Sequence, residues 1–178
     1  MKAIGMLMVE HRIIERMVGL MEKELSNEEL KHSANPAFIY DAVDFFKNYA
    51  DGIHHGKEEA ILFFELEKKP LTPGHKEIMD ALVAEHRIAR ESTKGLLEAA
   101  KRYDKGDMDA IMQIITHLKR LVALYPPHIL KEDKEFFFPV MGYFNEDEKS
   151  AMLAAFEEFD RKALNEIYGK AVEKYERA

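Results

Sequence analysis

Along the first segment, Ile4, Leu7, Ile14, Val18, Met21 and Leu25 recur in alternating steps of three and four, with His11 in the middle of the series. That spacing predicts a long helix with one narrow inward stripe. After a loop over Ser26–Asn35, Asn35 can cap and Pro36 can occupy the first turn of a second helix. The pattern carries this helix to about Lys69, with Val43, Phe46, Ala50, His54, Glu58 and Ile61 on one face. Pro70, Thr72, Pro73 and Gly74 then break the chain. A third helix places Ile78, Leu82, His86, Ala89, Thr93 and Leu96 inward and ends near Tyr103–Gly106. Asp107 is positioned to cap a fourth, which carries Ile111, Ile114, Leu118, Leu121, Tyr125, His128 and Glu132. Pro126–Pro127 should bend it just before His128, because each proline lacks an amide donor and crowds the preceding turn. Asn145 with Glu148 opens a fifth helix from Glu146 to about Arg177 as a capping-box pair. The expectation is an all-α chain in which residues 1–144 form a four-helix bundle and residues 145–178 add a C-terminal helix packed on the same domain.

The pattern also repeats. Glu10-His11-Arg12-Ile13 returns as Glu85-His86-Arg87-Ile88, 75 positions on, and His54, Glu58, Glu59 and Phe63 return as His128, Glu132, Asp133 and Phe137, 74 positions on. A helical hairpin with one His on its first helix and His-x-x-x-Glu on its second is therefore used twice, which builds a pseudo-twofold bundle.

Composition narrows the chemistry. The 178 residues include 33 Asp+Glu against 26 Lys+Arg, a formal net charge of -7, and this argues against nucleic acid as a partner, since such binding rests on collected basic charge. No apolar run approaches the roughly 18–20 residues of a membrane helix. Glu10-His11-Arg12 interrupts the N-terminal stretch before it could form a signal-peptide core, so a cytoplasmic location is expected. The absence of Cys removes disulfides, thiolate metal sites and Cys nucleophiles together, leaving His and carboxylate as the strong metal ligands.

Residues four apart on an α-helix differ by about 40° in direction and about 6 Å in height, so His54 and Glu58 reach the same space, as do His128 and Glu132. One such pair means little, because by composition roughly one His in five has an acid at that offset. The conjunction means more: His11, His54, His86 and His128 lie one per helix on inward faces, and two bring a Glu. Burying these groups uncompensated would cost several kcal/mol per ionised group, against a domain stability of about 5–15 kcal/mol. Two divalent or trivalent cations bridged by Glu58 and Glu132 would satisfy both acids. His with carboxylate suits iron, manganese or zinc, and a site open to a small ligand favours iron. The plainer alternative is a metal-free buried network in which His11 and His86 hydrogen-bond to the carboxylates.

Glu-His-Arg at 10–12 and 85–87, the block His54-His55-Gly-Lys-Glu58-Glu59-Ala-Ile-Leu-Phe63, and His128-Ile-Leu-Lys-Glu132-Asp133 followed by Phe136-Phe137-Phe138-Pro139 resemble the hemerythrin-like, or HHE cation-binding, family over residues 1 to about 141. The resemblance implies an antiparallel up-and-down bundle holding two iron ions in an oxo- or hydroxo-bridged di-iron centre, with bridging Glu58 and Glu132 and terminal His11, His54, His86 and His128. It also implies binding of dioxygen or another small diatomic or anionic ligand, or sensing of iron and oxygen. Hemerythrins proper carry HxxxH on the third helix, whereas here Arg90 stands four residues after His86. Two six-coordinate irons offer about twelve positions; four His, two bridging carboxylates and one bridging oxygen fill all but two, and a fifth His would leave one. His32 resembles, in its spacing from His11, the loop ligand of the family's iron-centre repair members and is the favoured fifth metal ligand, over His55 and His117. His55 points about 100° from His54 on an α-helix, towards the periphery of the site or solvent, and His117 lies about 16 Å from His128 along its helix. Asp133 is a fallback bridge if Glu132 is not one.

The leading functional expectation is a binding or sensing protein. A di-iron enzyme reducing peroxide or nitric oxide uses the same residues, and an iron-centre repair role is weakened by the lack of Cys, since such members usually carry a Cys-containing N-terminal domain. Ferritin-like oxidases would need two Glu-x-x-His motifs, and the chain offers only Glu29-x-x-His32 in a loop. The Phe136–Phe138 run, with Phe63, Phe64 and Tyr125, reads as core packing, and Tyr125 as a candidate hydrogen-bond donor into the site. On the fifth helix Phe156, Phe159, Ala163, Ile167, Ala171 and Tyr175 form an apolar stripe, read as packing on its own bundle, with homodimer formation as the alternative.

Overall fold

The computed structural model describes residues 2–27 and 33–176, with the side chains of 3–27 and 33–164. Among these residues there is no strand. Five long helices follow one another: α1 (Lys2–Ser26), α2 (36–66), α3 (Pro73–Asp104), α4 (110–140) and α5 (Glu146–Glu176). Their starts follow local chemistry. Asn35 Oδ1 accepts from the Phe38 amide ahead of Pro36; Thr72 Oγ1 accepts from His75 N ahead of α3. Asn145 and Glu148 exchange reciprocal bonds of 2.9 Å, the capping box that satisfies two orphan amides. Gly106, at φ 91°, turns the chain out of α3, a conformation that side chains resist. α4 begins at Ala110, three residues after Asp107, whose carboxylate is shared between Arg102, 2.8 Å from Nε, and the backbone amides of Asp109 and Ala110. Pro126 and Pro127 lie within α4, which continues through both.

Two apolar clusters define the bundle and its antiparallel sense. One joins the start of α1 (Ile4, Leu7) to the ends of α2 (Leu62, Phe63, Leu66) and α4 (Phe136, Phe137) and the start of α3 (Met79, Leu82). The other joins Ile14, Val18 and Met21 to Val43 and Phe46, to Ala89 and Leu96, and to Leu118, Leu121 and Tyr125. Each fully buried Leu, Ile or Phe contributes about 1.5–3 kcal/mol. α5 closes over α1 and α2, and Met152 and Phe156 enter the first cluster. Of the apolar stripe read on α5, Ile167, Ala171 and Tyr175 fall outside the described side chains. Phe64 and Phe138, expected in the core, are 53% and 52% exposed. They are twins in the internal repeat, and both sit just outside the layer that buries Phe63 and Phe137.

The winding of α2 departs from expectation. It is π-helical over Phe45–His55 and Glu58–Phe63, and α4 is π-helical over Glu132–Phe136. Pairing i with i+5 puts more residues into each turn, so the inward face moves relative to a 3.6-residue pattern. Ile61 is thereby only half-buried while Leu62, Phe63 and Leu66 are buried.

Candidate metal centre

Between the two apolar clusters lies a polar layer. Every helix of the bundle crosses it once, so His11 follows Leu7 and precedes Ile14, and His86 lies between Leu82 and Ala89. His11, His54, His55, His86, His128, Glu58 and Glu132 are each no more than 3% exposed. The side chains form two groups whose ligand atoms approach within 4.8 Å of one another: His11, His54, Glu58 and Glu132, and His55, His86 and His128.

Each imidazole is held from outside through Nδ1. His11 pairs with Asp133 (2.8 Å), His54 with Glu10 (2.9 Å), His86 with Glu59 (2.7 Å) and His128 with Glu85 (2.8 Å). The outer acids are themselves gripped by cations: Asp133 by Arg12, Glu10 by Lys57, Glu59 by Arg90 and Glu85 by Lys131. The repeat is visible in this shell, since Glu10 and Lys57 serve His54 as Glu85 and Lys131 serve His128. Lys57 is wholly buried and also meets Asp160 of α5 at 2.7 Å, which ties the fifth helix to the rim of the site.

The inner side of the layer is the opposite case. The Nε2 atoms of His11, His54, His55, His86 and His128, and all four carboxylate oxygens of Glu58 and Glu132, are buried without a hydrogen-bond partner. They lie near one another all the same. Glu132 is 3.1 Å from His11 Nε2, 3.3 Å from His128 Nε2 and 3.8 Å from His86 Nε2, while Glu58 is 3.5 Å from His54 Nε2 and 3.4 Å from His86 Nε2. Each Glu thus faces imidazoles of both hairpins. Unsatisfied buried polar atoms are rare and costly, and this many sharing one space match the donor set of a cation pair: imidazole nitrogens oriented by outer carboxylates, with acids between them. Asp133 faces outward to His11 Nδ1, so Glu132 is the acid presented to the interior, as the repeat argues.

Electrostatics carry the same strain. Burial opposes charge on His11, but the adjacent Asp133 and Glu132 outweigh it and raise the imidazole to about 9. Burial lowers His54 to about 4 against the pull of Glu10. Burial and the neighbouring Glu132 push Glu58 well above the usual carboxylate range; burial works the same way on Glu132, but His128, His11 and His86 hold it well below. The protein's own charges therefore push the two inner acids in opposite directions.

The helices bring together six of the sequence-derived ligands: His11, His54, Glu58, His86, His128 and Glu132. His32 lies outside the described residues. His55 corrects an expectation: it is 1% exposed and faces the layer, its ring stacked 3.8 Å from that of His86. The π-helical turn that contains both His54 and His55 reduces the angular step between neighbours below the α-helical 100° and turns both rings inward. His117 instead packs its ring over Gly95, remote from the centre. From the sequence, the outer acids carry no orienting role: Asp133 enters only as a fallback bridge, and Glu10, Glu59 and Glu85 only as members of the repeated motifs. The signal was present, because they recur across the repeat with the ligands they serve.

No helix among the described residues is long and apolar enough to cross a membrane. No curated protein and no solved structure matches the chain. A family model, the hemerythrin HHE cation binding domain, matches residues 2–141, which contain all of the buried His and Glu side chains described above. With that match over most of its length and the buried cation-ready layer inside it, the chain belongs to the hemerythrin HHE cation-binding family.

Proposed function

We propose that the protein holds two iron ions in this layer and binds dioxygen or a related small ligand there. The observation that carries the reading is the set of inward Nε2 and carboxylate atoms without hydrogen-bond partners, on side chains no more than 3% exposed. Glu58 and Glu132, each between imidazoles of both hairpins, would bridge the ions; His11 and His54 would serve one and His86 and His128 the other. Iron when bound supplies the electrons that dioxygen binding draws on, which zinc, lacking redox chemistry, cannot.

The chain's own residues do the rest. The outer acids fix each ring so that Nδ1 donates outward and Nε2 presents its lone pair inward. Phe137 lies parallel to His11 at 5.7 Å and Phe63 parallel to His86 at 6.0 Å, so both hairpins cover an imidazole with an apolar ring. These rings and the clusters above and below keep water and protons from the layer, which favours reversible binding of a neutral small molecule over its onward reduction. Tyr125 contributes packing: its ring lies 6.3 Å from His55 and 6.2 Å from His128.

Metal analysis of protein prepared with iron tests the proposal. About two irons per chain are expected, with near-ultraviolet and visible bands of a bridged diferric centre after exposure to air or azide. One tightly held zinc, with no uptake of iron, would refute it. Stopped-flow mixing of the reduced form with dioxygen then separates binding from catalysis, because a binding protein gives a persistent adduct that reverses under vacuum.

A further inference from the structure

The internal repeat is broken at one position of the polar layer. Every other member has a chemically similar twin: His11 and His86, His54 and His128, Glu58 and Glu132, Phe63 and Phe137. His55, however, is paired at the 74-residue offset with Ile129, and both are buried, at 1% and 3% exposure. One hairpin presents an imidazole where the other presents an aliphatic chain.

We infer that His55 is the fifth imidazole ligand, supplying from the second helix the donor that Arg90 leaves missing from the third, and that this makes the two metal positions unequal. The inference rests on the metal-pair reading above. A ring nitrogen of His55 lies within 4.8 Å of ring nitrogens of His86 and His128, and Nε2 of His55 is buried with no partner of its own. Its Nδ1 is 3.4 Å from Asp51, and Asp51 is clamped by Arg90 Nε at 2.7 Å, so the residue that displaces the expected His holds the acid that orients the substitute. A neutral imidazole with Nδ1–H turned to a carboxylate offers only a lone pair at Nε2. Three such lone pairs, from His55, His86 and His128, converge on one place, where they repel one another unless a cation lies between them. Among the described residues, the imidazoles around the other position are those of His11 and His54, with Ile129 at the place symmetry assigns to a third. That position keeps an open face walled by hydrocarbon, and the small ligand exchanges there. The metal beside His55, His86 and His128, with both bridging acids and a bridging oxygen, is complete at six donors.

Cobalt(II) loading of the full chain tests this without a substitution. Each Nε2-bound imidazole keeps its Nδ1 proton, which appears as a far-shifted exchangeable NMR line; five such lines are expected, and four would overturn the assignment. Two variants extend the test. His55→Ala should lower the affinity of one of the two ions by more than tenfold in chelator competition, with recovery on adding free imidazole. Ile129→His should keep two ions but weaken azide binding more than tenfold by closing the open face. A His55→Ala protein holding two ions with unchanged affinity and spectrum defeats the inference and leaves the metal pair standing. A wild-type chain that takes up no second ion defeats both.

Discussion

The raised imidazole of His11 sets up a measurable link between metal binding and pH. Its value of about 9, against an ordinary 6.5, leaves the ring about 99% protonated at pH 7 in protein stripped of metal. A metal needs the neutral ring, so uptake must expel close to one proton from His11 at pH 7. For each proton released, the apparent association constant rises about tenfold per pH unit, or about 1.4 kcal/mol. Between pH 6.5 and 8.5 the gain from His11 is roughly 75-fold, a little under the full hundredfold because the ring is already losing its proton as pH nears its own value of about 9. Stability runs the other way in stripped protein. A group raised on folding stabilises fully below its unfolded value and loses that contribution as pH climbs through the folded one. His11 therefore contributes on the order of 3 kcal/mol near pH 6 that is gone above about pH 9. Competition with a chromophoric chelator of known proton affinity, read at half-unit steps, gives the binding slope; urea unfolding of stripped protein over the same range gives the other. Asp133→Asn, which removes the partner 2.8 Å from His11 Nδ1, should flatten both. Metal affinity independent of pH across this window would refute the account of the layer as a charge-frustrated site that a metal relieves.

Four further outcomes follow from the same contacts. Lys57→Met leaves Glu10 buried without its cation and should cost about 3–5 kcal/mol in urea unfolding of stripped protein, with part recovered in the double variant with Glu10→Gln. Glu85→Gln, removing the acid that orients His128 from 2.8 Å, should weaken metal binding about 10- to 100-fold in chelator competition while circular dichroism is unchanged. Phe137→Ala, at a fully buried ring, should lower stability by about 3–5 kcal/mol and hasten decay of the dioxygen adduct followed by its absorbance. Stripping metal should lower the melting temperature, since ion at a hundredfold above its Kd stabilises by about 2.7 kcal/mol per site in differential scanning calorimetry.

The apolar periodicity of α1, α3 and α4 carried directly into buried faces, because an α-helix with 3.6 residues per turn makes spacing a sufficient description of direction. Capping at Asn35 and Asn145 was equally readable, since it depends on residues three positions apart. The duplicated hairpin brought six candidate side chains into one buried layer, as each lies on a predicted inward face and symmetry brings the faces together. Asp107 and Phe64 behaved otherwise. Arg102 competes for the first, and the second lies one residue outside the buried layer, so both outcomes depend on neighbours that a local pattern does not contain.

Amino-acid order alone therefore determined that this chain is helical, that it folds a hairpin twice, and that His and Glu must share its interior, because these follow from periodicity and from the cost of burying polar groups unpaired. Tertiary structure decided the orientation of those groups. The π-helical winding of α2 turned His55 inward beside His86, and cation-gripped acids from neighbouring helices aimed His11, His54, His86 and His128 through Nδ1. The acid–imidazole pairs join residues tens of positions apart, and the winding departs from 3.6 residues per turn, so a helix period read from one segment contains no information about either.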